Sequence, residues 1–328
     1  MHHPPPMFAT AHLSNPPADR DDLAPTRLFL TNLPHLQPTY KHSPVPSFPK
    51  YRFNSGIKIM ATPATEGNPL NLQLEANPGH WYVEHEIFNV LTAYLPATST
   101  WTASAAAEKL NSFYPTIRQD DDPKEKPLSF LSEFWEIMFR VGIQVDCHTE
   151  PMKRFIALIK ALREINVDEE NGAWKQLPQM SLFLSETYQQ CSLKYVQGDE
   201  GSRRWRNLNG LNAYLIQEEL LYDGIAYAFT ANRQALETED HPVTKKQKKT
   251  NKATNILALV PAAAAYFIIC PSKIRHASVA ETEGFSVAHW NRWKIQFGAL
   301  GAHPEADDEV RKACEDAVLA MEKCEHSI

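Results

Sequence analysis

Few residues in this 328-residue chain have the types and spacing that support chemistry. Gly284-Phe285-Ser286-Val287-Ala288 is the nearest string to a nucleophile elbow, which needs a strand to deliver its serine to a sharp turn. Here the flanks read as loop then helix, so Ser286 fits a helix N-cap better than a nucleophile. Asp121-Asp122-Pro123-Lys124-Glu125 has the DDxxE spacing of magnesium-binding carboxylates, but Pro123 breaks the helix that would aim them. His85-Glu86 lacks a second histidine one turn on to make a zinc face. Cys147 beside His148, and Cys324 near His326, are pairs without further ligands. Neither GxxxxGK[ST] nor GxGxxG occurs, and the chain holds only 12 glycines. These observations assign no catalytic residue, no metal ligand and no cofactor site.

The distinctive side chains are of another kind. Trp135, Trp174, Trp205, Trp290 and Trp293 fall on apolar helical faces and read first as packing anchors, each needing a partner for its N–H. Trp290 and Trp293, if exposed together, would make a binding surface. Asn207, Asn209 and Asn212 crowd one helix although Asn is a weak helix former, which suits bonding to core carbonyls or the lining of a polar pocket. Trp205, Asn209, Asn212, Trp290 and Trp293 are therefore the candidate pocket or interaction residues. Lys245, Lys246, Lys248 and Lys249 form a short basic cluster of the kind nuclear import reads, or simply a solvated linker.

The elements that must position these residues are helical. Residues 80–95, 102–114, 129–145, 151–165, 178–190, 203–237 (bent near Gly224), 254–270, a helix from Ser286 and another from Pro304 make about nine helices. No alternating strand pattern is evident beyond residue 80, so the fold class is all-α. Ile256 to Cys270 is a 15-residue run without a charge, short of the roughly 20 residues a span needs, and reads as a buried core helix. Eleven of the 24 prolines lie in the first 50 residues. Residues 1–79 therefore read as a disordered Pro-rich extension, with Met60 as an alternative start, and 80–328 as one helical domain. Residues 1–59 hold six basic and three acidic groups, leaving 27 basic and 36 acidic beyond them, a net −9. Such a surface repels phosphate backbones, so nucleic acid is not an expected partner, and the shortness of the Ile256–Cys270 run makes a membrane an unexpected one too. Five scattered cysteines form no disulfide ladder, which points to a reducing cytoplasmic setting, with the nucleus open through the Lys245–Lys249 cluster.

Several blocks taken together resemble a family of fungal proteins known only as a domain of unknown function. They are SFLSEFWEIMFRVGIQV (129–145), MKRFIALIKALREI (152–165), WKQLP (174–178), RRWRNLNGLNAYL (203–215) and FSVAHWNRWKIQF (285–297), spanning about residues 80–328. The resemblance implies an intracellular all-helical protein and brings no catalytic residues. With no catalytic constellation, the expected function is a non-enzymatic protein-binding or scaffolding module with an unidentified protein partner. The alternative is an accessory protein or cryptic enzyme of fungal secondary metabolism, working through a polar pocket between helices.

Overall fold

Each helical stripe buries its apolar face against its neighbours, and the helix ends follow from local chemistry. The computed structural model describes residues 69–74, 83–118, 125–165, 174–191, 198–221, 223–237 and 256–327. Met60, the Lys245–Lys249 cluster and Asp121 to Lys124 lie outside them. All described residues fall in the second of two units, 58–328.

The first group of helices is α1 (Glu84–Tyr94), α2 (Ala103–Asn111), α3 (Pro127–Gly142), α4 (Glu150–Glu164) and α5 (Met180–Gln190). Thr102 caps α2 by accepting the Ala105 N–H at 3.1 Å. The α3 helix starts at Pro127, earlier than Ser129, because proline at the first helical position has no N–H to leave unpaired. Phe130, Phe134 and Trp135 on its inner face close around Trp174. Residues 69–74, which the sequence reading places in the extension, are packed here: Leu72 is buried, and Gln73 exchanges backbone bonds with the Gln144 side chain at 2.8 and 2.9 Å.

The second group is α6 (Gly198–Gln217), α7 (Gly224–Leu236), α8 (Val260–Ile269, entered through a 3-10 turn at Ile256–Leu259), α9 (Pro271–Ala280), α10 (Val287–Gly301) and α11 (Asp308–Glu325). α8 packs against α6, α7, α9 and α11 and is buried on nearly every side, as an apolar helix must be. No single helix among the described residues is long and apolar enough to cross a membrane. α6 also touches α3 and α4 and so joins the two groups.

The described residues hold no strand, and the fold is all-α with eleven helices where about nine were expected. Two differences account for the count. The stretch 203–237 is two helices: Glu219 turns left-handed (φ 53°), and Leu220 N–H bonds back to the Leu215 carbonyl at 2.9 Å, closing α6 with a Schellman cap. The segment after Cys270, read as loop, is α9. Pro271 stops α8 and starts α9, the chain turning by 88° between them.

Candidate functional site

The α6 asparagines face inward. Asn207 Nδ2 donates to the Ile143 carbonyl at 3.0 Å, and its Oδ1 accepts the Cys147 N–H at 3.3 Å, which fixes the α3–α4 turn on α6. Asn209 and Asn212, one turn apart, meet Tyr188 of α5 and Tyr266 of α8 in a buried network, in which Asn212 Oδ1 has no hydrogen-bond partner. The two tyrosine hydroxyls lie 2.8 Å apart. Asn209 Oδ1 accepts from Tyr266 at 2.9 Å and from Tyr188 at 3.2 Å. Asn212 Nδ2 donates to the Tyr266 oxygen and to the Gly224 carbonyl, both at 2.9 Å. Asn209 Nδ2 returns to the Trp205 carbonyl at 2.8 Å. All four side chains are buried, and burial pushes both phenol groups well above the ordinary tyrosine range. Trp205 packs edge-on against Tyr188, whose other face stacks on Tyr227 at 4.2 Å between ring centres. The sequence-predicted trio Trp205, Asn209 and Asn212 is thus brought together, as an enclosed knot among α5, α6, α7 and α8.

Trp290 and Trp293 lie apart from that knot, on the inner face of α10. Both are fully buried, so they present no exposed aromatic pair. Their rings pack on Phe267 of α8, and each N–H has a carboxylate partner across a helix boundary. Trp290 donates to Glu325 at 2.6 Å and Trp293 to Glu237 at 2.8 Å. Trp135 and Trp174 follow the same rule, donating to the Pro178 carbonyl at 2.7 Å and to Asn111 Oδ1 at 2.8 Å.

Among the described residues, no hydrogen bond joins Cys147 to a histidine nitrogen. Burial raises its thiol to about 12, which suits a packing residue rather than a nucleophile. No group of three or more His, Cys, Asp or Glu residues among those described is placed to hold a metal ion.

Residues 135–297 match the family described as Protein of unknown function (DUF3632). No curated protein and no solved structure matches the chain. The DUF3632 match is narrower than the 80–328 span of the sequence resemblance, running from Trp135 on α3 to Phe297 on α10. All five candidate residues fall inside it, as do Tyr188, Glu237 and Tyr266, which sequence reasoning missed. Tyr266 left one trace: it carries the only side-chain hydroxyl in the uncharged run Ile256–Cys270, and a polar atom buried there needs partners.

Proposed function

We propose that the protein is a protein-binding module, a scaffold whose docking face is the outer side of α10. The observation that carries this reading is the composition of that face. Ala288, Ile295, Ala299 and Ala302 recur at helical spacing and are exposed, with Ile295 70% exposed between Asn291 and Arg292 on its N-terminal side and Gly298 and Ala299 on its C-terminal side. A β-carbon added at Gly298 would meet nothing within 4 Å, so the backbone here is open to close approach. An exposed apolar side chain with small residues on one side and the polar Asn291 and Arg292 on the other suits an amphipathic helix of another protein, laid along α10 with Ile295 as the anchor. The buried half of the same helix holds Trp290, Trp293 and Phe297, so the outer face is presented on a rigid support. The enclosed asparagine–tyrosine knot fits this reading, since its four side chains are buried and bonded mainly to one another and to backbone carbonyls.

Affinity capture from native extract, compared with Ile295→Glu, is the test. The variant should keep wild-type thermal stability, because Ile295 contributes little to the core, and should lose the captured helical partner by at least tenfold. Equal capture overturns the reading. So does a face whose occupant is a second copy, seen as wild-type self-association that Ile295→Glu abolishes in light scattering.

A further inference from the structure

Ser286, His289 and Glu237 stand in a line where α7 ends beside the start of α10. Ser286 Oγ lies 2.9 Å from His289 Nδ1, and the other ring nitrogen, Nε2, lies 3.8 Å from Glu237 Oε1. One tautomer suits both neighbours. A proton on Nε2 faces the carboxylate and leaves Nδ1 to accept from the serine hydroxyl. Ser286 Oγ also accepts the His289 backbone N–H at 3.2 Å, so its own proton is directed to the ring.

The surroundings hold this line in place. Glu237 is buried, its Oε1 taken by Trp293 at 2.8 Å and its Oε2 by Arg233 Nε at 3.1 Å. The imidazole is set against Phe229, edge to face at 5.4 Å, and against Trp293 at 5.3 Å. Gly284, with φ 82°, presses the preceding loop onto Phe229, where an added β-carbon would come within 2.8 Å. Ser286 and His289 remain half-buried, reachable from solvent, beside the exposed Val287. The first amides of α10, on Val287 and Ala288, follow Ser286 directly and have no intrahelical acceptor.

We propose that Ser286 is an acyl-accepting nucleophile with His289 as its general base and Glu237 as the residue that orients the ring. The substrate class is a carboxylic ester with a short apolar acyl group, which Val287 and Phe229 would flank. Ser286 Oγ bonds to the ester carbonyl carbon as its proton passes to His289 Nδ1. The carbonyl oxygen gathers negative charge that the Val287 and Ala288 N–H groups meet. The bond to the leaving alcohol breaks, and the alcohol departs with the proton from His289. Water then attacks the acyl-serine, giving its proton to His289; the carboxylic acid is released and Ser286 regains its hydrogen. The helix-cap role read from the sequence stands beside this one, because the oxygen accepts from the backbone while its hydrogen serves the ring. The site adjoins the docking face at Ala288, and Ile295→Glu, two turns further along α10, separates the two by leaving Ser286 and His289 in place.

The test is labelling of the full chain with a fluorophosphonate probe, mapped by peptide mass, together with hydrolysis of p-nitrophenyl butyrate. Wild type should carry the label on Ser286. His289→Ala keeps the N-cap, since Oγ still accepts the backbone N–H, and should label at least about 100-fold more slowly. His289→Gln serves the same purpose should the alanine variant melt early. Glu237→Gln retains the Trp293 contact and should shift the pH profile of labelling rather than abolish it. An unlabelled Ser286 in the wild-type protein, or labelling unchanged by either His289 variant, overturns the proposal.

Discussion

The Tyr266 hydroxyl is the most heavily used polar atom of the interior, bonded at once to Tyr188, Asn209 and Asn212. Deleting it leaves those three groups short of a partner in a place water does not reach. An unpaired buried group costs about 1–3 kcal/mol, so Tyr266→Phe should destabilise by roughly 2–4 kcal/mol and lower the melting temperature by several degrees. Tyr188→Phe, which removes a donor from Asn209 and one neighbour of Tyr266, should cost about half as much. Thermal denaturation of the two variants checks the order; equal stability of Tyr266→Phe and wild type would show that the hydroxyl does not hold these groups together. Only half of it was legible in the sequence. Asn209 and Asn212 stand out because asparagine is out of place in mid-helix. Tyr188 and Tyr266 follow the apolar period as Leu or Phe would, and periodicity is blind to a hydroxyl.

Helix packing turns on small residues at crossing points, and Gly210 on α6 is the tightest. A β-carbon there would sit 2.3 Å from the Cys147 β-carbon, in the turn that Asn207 also holds. Gly210→Ala should therefore lose about 1–3 kcal/mol through overpacking, against the gain alanine normally brings to a helix interior. Cys147→Ala should not rescue it, because the β-carbon is the obstacle, whereas Cys147→Gly should recover part of the loss. Chemical denaturation of the set decides the point; a stabilised Gly210→Ala would mean that α6 and the turn stand further apart. At this scale the sequence was informative about stripes and poor at ends. Apolar spacing located α1 to α5 and α8, and covered α6 and α7 with one continuous helix, since burial dictates it. The break within 203–237 was missed because its left-handed residue is Glu219 rather than glycine, and α9 because Pro271 reads equally as a stop and a start.

Across the molecule, acid should act on the two helix groups in opposite directions. Glu325 on α11 accepts both Lys294 (2.9 and 2.7 Å) and Trp290, tying α11 to α10, and the Lys294 ammonium holds its carboxyl below the usual range. A carboxyl depressed by folding stabilises the native state above its ordinary value, near 4.5, and that contribution is lost as pH falls through the folded value. Glu133 and Glu136 on α3 have the reverse sign. Burial raises both, so their contribution is complete below 4.5 and fades as pH rises through their folded values. Lowering the pH thus loosens the α10–α11 clamp while it favours α3. Hydrogen exchange followed by mass spectrometry at about pH 6 and about pH 3.5, corrected for intrinsic rates, should show α10 and α11 losing protection first. Lys294→Met should bring their exchange at the higher pH closer to the acid pattern, by an amount worth at most ~1 kcal/mol for a partly exposed pair. Loss of protection in α3 ahead of α11 would reverse the assignment, placing the acid-labile contacts in the first helix group.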